Sequence, residues 1–242
     1  MKRKIGIDLT YIKDSEVSGI KKYGEEMVEG LSKASNEYEI VLFVYEHLKS
    51  DFQKKFPDCK IVTVKFLFRN IKYIRRINYW NVSKLPKKIM INREKCDLVI
   101  YPFTEKLTPI IKKQKKIVAI LDLIPLDIIE DKDSTKAKKI KKQYIKIMNK
   151  CQYITTLSEY SKKRFYEINP KYNGEIIVIP SSVIKPKLFK TKVKDEVISK
   201  GKYIFSINSF YKHKNQITLV KAFNNIKDQI QHNLILVRKT RN

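Results

Sequence analysis

Four short polar segments carry residue types suited to holding a phosphorylated or polyhydroxylated ligand, and the strongest of them follow apolar runs of strand length. The first, Asp14-Ser15-Glu16-Val17-Ser18-Gly19, runs into a helical pattern from Ile20. A polar loop ending in glycine at a helix N-terminus offers backbone N–H groups to an anionic or hydroxylated ligand. One glycine is not a glycine-rich fingerprint, and an ordinary strand–helix connection fits the same spacing. The second, Leu121-Asp122-Leu123-Ile124-Pro125, ends a buried strand. A carboxylate there can accept hydrogen bonds from substrate hydroxyls, because ligands of open α/β sheets gather at strand carboxyl ends. A loop or capping aspartate is the structural alternative. The third, Thr155 to Ser161, is a strand end feeding a helix, with Ser158 suited to the N-cap and Glu159 to the positive first turn. The fourth is the turn Lys212-His213-Lys214-Asn215. Lys214, at or just before a helix N-terminus, could meet a diphosphate as a point charge beside the helix dipole. It is also one of 52 Lys and Arg, most of which must be solvated surface charges.

The elements that would position these segments alternate along the chain. Strands are expected at Ile5–Leu9, Ile40–Tyr45, Ile61–Val64, Leu98–Tyr101, Ile117–Leu121, Tyr153–Leu157 and Ile176–Ile179. Their continuous apolar character suits a sheet covered on both faces. Between them, Ile20, Tyr23, Met27, Val28 and Leu31 fall on one helical face, as do Ile140, Tyr144, Ile147, Met148 and Cys151. A third helix is expected over Glu159–Ile168. The pattern predicts a Rossmann-like, doubly wound parallel α/β sheet over residues 1–182. A polar, basic, proline-containing stretch, 183–202, reads as a linker. From Tyr203 a buried strand, a polar turn, an amphipathic helix and a second strand, Leu234–Val237, form one βαβ unit over 203–242. Forty residues are too few for a domain, so this second domain is expected to be incomplete.

Composition narrows the classes. No stretch approaches the ~20 apolar residues of a membrane span. The basic, apolar start MKRKIGIDLTYI superficially suggests a signal peptide, but Asp8 interrupts it, so a first strand is expected. Cys59, Cys96 and Cys151 lack metal-ligand or disulfide-scaffold spacing and read as thiols of a cytosolic protein. With three histidines and no carboxylate cluster, no metal site is expected. The net charge of +27 implies attraction to anionic surfaces, although richness in Lys, Ile and Asn together also follows from AT-rich coding.

In this order, the segments resemble the family-four retaining glycosyltransferases of GT-B architecture. SGIKKYGEEMVEGL is similar to that family's glycine loop and first helix, and DLVIYPFTE to its strand ending in a proline-containing loop. IVAILDLIPLDI resembles the strand ending in a His-Asp pair, TTLSEYSKKRF the Ser-Glu helix start, and SINSFYKHKNQITLVKAF the opening of the donor domain. IIVIPSSV stands where an Asn-Gly-Val turn is usual. The resemblance implies transfer of a hexose from a nucleotide-diphosphate sugar to a glycan or lipid-linked acceptor in cell-envelope polysaccharide synthesis. It implies no metal cofactor, the diphosphate being stabilised by basic residues and helix N-termini. Gly19, Tyr101, Asp122, Ser158 and Glu159 would lie on the acceptor side, and Lys214 with His213 at the donor diphosphate. No catalytic residue is assigned. The sequence departs from the family at Leu121, where the His stands, at His213, beside the family's Lys, and at Asn208, in place of a glycine. The paired-glutamate motif would fall beyond residue 242, so little or no transfer is expected of these 242 residues alone.

The charge is concentrated. Lys65 to Lys95 holds ten basic residues and one acid, interleaved with Phe66, Phe68, Tyr73, Tyr79 and Trp80, and the Lys132–Lys150 helix adds eight lysines opposite its apolar stripe. Such mixtures suit docking on an anionic membrane, giving a cytoplasmic protein peripheral on the inner face of the membrane. Amphipathic helices packed on the sheet with solvated lysines are the alternative. Two other classes stay open, a non-catalytic truncated remnant and a nucleic-acid binder. The latter lacks any helix-turn-helix, zinc-finger or RNP-type pattern.

Overall fold

Apolar runs become strands and amphipathic runs become helices in near-strict alternation. The computed structural model of the chain describes residues 2–13, 18–33, 37–64, 85–103, 115–128, 134–181, 201–207 and 214–237. Two compact units result, Met1–Ser182 and Val183–Asn242. The first contains β1 (Arg3–Asp8), α1 (Gly19–Lys33), β2 (Tyr38–Tyr45), α2 (Lys49–Lys55), β3 (Lys60–Val64), α3 (Leu85–Glu94) and β4 (Leu98–Tyr101). It continues with β5 (Lys115–Ala119), α4 (Ile124–Asp127), α5 (Thr135–Met148), β6 (Tyr153–Thr156), α6 (Glu159–Ile168) and β7 (Glu175–Val178).

The seven strands form one parallel sheet in the order β3-β2-β1-β4-β5-β6-β7. Ile5 pairs with Ile40 on one side and Leu98 on the other. The strand order reverses between β1 and β4, which defines the switch point of a Rossmann-like sheet. Both faces are covered, as continuous apolar strands require. On one face Ile7, Leu9, Leu42 and Ile100 pack with Val28 of α1 and Phe52 of α2. On the other Phe43, Val99, Val118 and Ile154 pack with Ile91 of α3, Met148 of α5 and Phe165 of α6. The packing is close at Gly6, where an added Cβ would stand 2.8 Å from a Phe43 ring carbon and 3.0 Å from the Cys96 sulfur. The α/β, parallel, doubly wound architecture is thus as expected, with strands one to two residues longer at several N-terminal ends, while β1, β5, β6 and β7 end at Asp8, Ala119, Thr156 and Val178, one or two residues before the expected Leu9, Leu121, Leu157 and Ile179. The Glu159–Ile168 helix has the expected bounds, and Ser158 is its N-cap.

The second unit contains β8 (Lys202–Ile207), α7 (Gln216–Ile226) and β9 (His232–Val237), with β8 and β9 parallel. The βαβ connectivity is as expected, but the expected burial of the first strand is not found. Phe205 is 53% exposed and Ile217 of α7 is 70% exposed, and no residue of α7 is buried. A parallel pair has two faces, and among the described residues of this unit one helix is the only cover. Of the stretch 183–202 expected as a linker, 183–200 lie outside the described residues and Lys202 already begins β8, and most of the basic run from Lys65 lies outside them too.

Candidate functional site

A parallel sheet sends every strand's carboxyl end to the same edge, so the loops that follow converge there whatever their separation in sequence. At that edge β5 runs into Ile120, Leu121 and Asp122, β4 into Phe103, and the loop after β1 into α1. Between them opens a pocket of about 530 Å³, whose lining includes Ile20, Phe103, Leu121, Asp122, Pro125, Ile140 and Tyr144. The floor is the sheet edge and one wall is α5, whose Ile140, Tyr144 and Ile147 recur at helical spacing.

Asp122 lines this pocket. One of its carboxylate oxygens accepts the Ile124 N–H at 3.0 Å, a local turn that starts α4 and fixes the side chain at the pocket wall. Leu121 lines the pocket too, in the place where the resemblance has a histidine. Gly19 begins α1, one residue before Ile20, and is exposed; a Cβ built on it meets nothing within 4 Å. No steric need explains glycine there. Tyr101 ends β4, but its side chain is only 2% exposed and packs in the core rather than on the pocket. Burial first, then the charge of Asp8, raises its phenol well above the ordinary range.

Ser158 and Glu159 start α6 at the same sheet edge and are not among the pocket-lining residues. The Ser158 hydroxyl accepts the Ser161 N–H at 3.1 Å and donates toward the Ser161 hydroxyl at 3.2 Å, which makes it the cap of the helix and leaves one acceptor lone pair open. Glu159 is exposed in the first turn. In the second unit Lys214 is exposed, two residues before α7. Asn215, at the N-cap, adopts a left-handed φ of 51° and gives the helix no side-chain cap; its amide oxygen instead accepts the Thr218 hydroxyl at 2.7 Å. The first-turn N–H groups of α7 are therefore not closed off by a side chain, unlike those of α6. His213 lies outside the described residues.

Sequence reading passed over the group behind the pocket. Asp8, at the end of central strand β1 and beside the switch point, is 4% exposed. One of its oxygens accepts both the Thr10 N–H at 3.1 Å and the Thr10 hydroxyl at 2.7 Å. The other is paired with Lys87 of α3, whose side chain is also nearly buried. Immediately after this turn, Tyr11 donates to the Ile20 carbonyl at 3.2 Å and its ring lies 5.5 Å from that of Phe103. Both Ile20 and Phe103 line the pocket, so the Asp8 turn braces two of its walls. Burial first, with the nearby Asp8 and Glu25 charges, pushes the Tyr11 phenol far up. Burial and the charges of Asp122 and Asp127 push Tyr144 up to about 12. Both phenols stay protonated at neutral pH and can serve as donors, not as bases. The one signal in the sequence was Asp8 itself, a carboxylate closing an otherwise apolar strand.

No protein-family model matches the sequence, and no curated protein matches it. Among solved structures the chain resembles Anabaena HepE, determined in complex with UDP and glucose, at a TM-score of 0.59 and 11% identity, over 97% of this chain and 60% of HepE. It also resembles a candidate UDP-N-acetylglucosamine 2-epimerase from Listeria monocytogenes, at a TM-score of 0.53 and 10% identity, over 100% of this chain and 63% of that one. The chain thus spans less than two thirds of either protein. At these identities the likeness concerns the fold alone, which is that of the GT-B proteins.

Proposed function

We propose that this chain belongs to a glycosyltransferase that moves a hexose from a nucleotide-diphosphate sugar to a hydroxyl of a glycan or lipid-linked acceptor in cell-envelope polysaccharide synthesis. The first unit would supply the acceptor side and the second unit the start of the donor side. The observation that carries this reading is the convergence of the sequence segments at one sheet edge. Asp122, Ile20 beside Gly19, and Phe103 after Tyr101 come from three separate loops and border one pocket. A fold likeness to a protein holding UDP and glucose supports the ligand class.

In the proposed reaction the bond between the anomeric carbon and a diphosphate oxygen breaks. A bond to the acceptor oxygen forms, and the acceptor hydroxyl gives its proton to the departing diphosphate. Asp122 would accept a hydrogen bond from that hydroxyl and orient it. Charge growing on the departing diphosphate would be met by Lys214, His213 and the uncapped N-terminus of α7, without a metal ion, because preorganised donors can supply such stabilisation. Ser158 and Glu159 would contribute at the rim of the acceptor side. The second reading, suggested by the Listeria likeness, is an epimerase acting on the nucleotide sugar itself.

Incubation with radiolabelled UDP-hexoses and a panel of membrane and glycan acceptors separates the two, using the protein in which this chain occurs. Label transferred to acceptor, and lost in the Asp122→Asn variant, is the expected result. Label that stays on nucleotide as an epimer would replace this reading with the second. Failure of UDP and UDP-hexoses to bind, by ligand-observed NMR, would sink both.

A further inference from the structure

We propose, resting on the transferase reading above, that the pocket at the end of β5 takes an uncharged apolar alcohol or phenol as its acceptor. The sugar is then laid directly on an apolar body. The oxygen of that alcohol would form the new bond to the anomeric carbon, with its proton passing to the departing diphosphate. Only three described lining residues, Asp122, Gln143 and Tyr144, carry a polar side chain. The rest of the lining is apolar, and Ile20, Phe103, Leu121 and Ile140 within it are half-buried. Residues that only seal the core are closed over, as neighbouring Leu123 is at 2% exposure; these four are left open around about 530 Å³. That volume lies within the roughly 300–1,000 Å³ of pockets that enclose a small molecule.

A hexose ring does not match these walls. Every hydroxyl it buries needs a partner, and a hydrophobic pocket disfavours even one added hydroxyl by roughly a hundredfold. Gln143 has an interaction of its own within the protein, which leaves Asp122 and Tyr144 to meet a ligand. One Asp122 oxygen is taken by the Ile124 N–H, and the other accepts from no described residue. The Tyr144 ring packs edge-on against Phe165, and among the described residues its hydroxyl has no partner. Burial, with the charges of Asp122 and Asp127, keeps that phenol protonated at neutral pH. A single hydroxyl satisfies both groups, donating to the carboxylate and accepting from the phenol.

Charge excludes the anionic forms of such a molecule. The chain has 52 Lys and Arg, yet among the described residues none lines this pocket. The one charged residue in the described lining is Asp122. Asp127, whose charge also reaches Tyr144, is balanced by Arg164 at 2.8 Å, so Asp122 sets the sign. A phosphate placed among apolar walls beside a carboxylate is opposed twice, by lost hydration and by repulsion. Phosphorylated lipids and sugar phosphates are therefore poor fits, and an uncharged alcohol is a good one. Leu121 adds apolar wall in the place where the resemblance has a histidine.

Ligand-observed NMR without donor, on the protein in which this chain occurs, tests the site with geraniol, 2-naphthol, their phosphate esters and methyl glucoside. At least one alcohol should bind, geraniol standing for a chain and 2-naphthol for a ring, and the tighter one tells which body the site favours. Each phosphate ester should bind at least about tenfold more weakly than its alcohol, and Asp122→Asn should narrow that gap. Methyl glucoside should neither bind nor displace the alcohols. Ile124→Ser, at the exposed rim, should weaken the alcohols several-fold and leave the thermal midpoint in place. Ile177→Ser, equally exposed on β7 but outside the lining, should not weaken them. Methyl glucoside or a phosphate ester binding as tightly as the alcohols overturns the proposal. So does equal loss in the two isoleucine variants, or no binding of either alcohol. Failure of the transferase reading looks different: the alcohols bind and depend on Ile124, but label from nucleotide-hexoses reaches neither them nor any other acceptor. The ligand class then stands and its role as acceptor falls. Label that moves only onto sugars overturns the present proposal and spares the transferase.

Discussion

The two units are built from the same local grammar and differ in what covers their strands. In the first, β1, β4, β5 and β6 are apolar runs sealed between α1 and α2 on one face and α3, α5 and α6 on the other. In the second, β8 and β9 are equally apolar, with Tyr203, Phe205 and Ile207 all exposed, and α7 buries none of its residues. A run of apolar residues bounded by turn signals specifies a strand, because the extended backbone and its pleat suit branched and aromatic side chains. It does not specify burial, which depends on elements that arrive from elsewhere. A two-stranded sheet is marginal without such packing.

Truncating one aromatic ring in each unit tests this difference most strongly. Phe165→Ala, fully buried against Tyr144 and the sheet, should cost about 3–5 kcal/mol in urea denaturation. Phe205→Ala in β8 should stay within about 1 kcal/mol, since the residue is already about half exposed. Equal costs would mean that the β8 face is covered in solution. Next in size is the buried charge that, among the described residues, only the first unit has. Asp8→Ala strands Lys87 without its partner and should cost roughly 3 kcal/mol or slightly more. The double variant Asp8→Asn with Lys87→Met should recover most of it. Lys55→Ala, which breaks the pair with Glu25 from its half-exposed side, should cost no more than about 1 kcal/mol.

These expectations also mark what the sequence could show. The positions of all the described strands could be read, because each is a local apolar run, and so could the α6 cap, because Ser158 stands directly between strand and helix. The strand starts were drawn short, as at Ile5 for a strand that begins at Arg3, since parallel register extends pairing into polar residues such as Lys4 and Glu39. The site was half legible. Asp122 announces itself by type and position at a strand end. The Asp8–Lys87 pair joins residues from the first strand and the third helix, and Tyr11 meets Phe103 from a different strand's loop. Such contacts exist only once the sheet order is fixed, and nothing local encodes that order. The exposure of Phe205 was hidden for the same reason.

Alkaline pH should separate the units again, by a smaller margin. Burial pushes the Cys96 and Cys151 thiols each up to about 11, from an ordinary value near 9. The unfolded chain gives up these protons at lower pH than the folded one, so between those values the native state binds more protons. Stability is then fully present below about pH 9 and declines as pH rises toward about 11. Every cysteine lies in the first unit, so the loss should appear in its unfolding transition only. Denaturation midpoints followed across that window check it, and Cys96→Val with Cys151→Ala should flatten the decline. A decline that persists in this double variant below about pH 10, where the phenols of Tyr11, Tyr101 and Tyr144 stay protonated even in the unfolded chain, would assign it to other groups.

The finest contrast lies between two helix N-termini. At α6 the chain satisfies its own first turn through the Ser158 hydroxyl, and Ser158→Ala should cost about 1 kcal/mol. At α7 the residue in the same position, Asn215, makes no cap and holds a left-handed conformation that glycine adopts without strain. Asn215→Gly relaxes that backbone and loses only the exposed bond from Thr218, so the two effects should nearly cancel, to within a few tenths of a kcal/mol. Thermal melts of the two variants compare them directly. If Asn215→Gly costs as much as Ser158→Ala, α7 is completed by its own residue and its N–H groups are not open to a diphosphate. If it is neutral in the apoprotein and UDP stabilises wild type and variant alike through Lys214, the uncapped helix start is where the second unit meets its ligand.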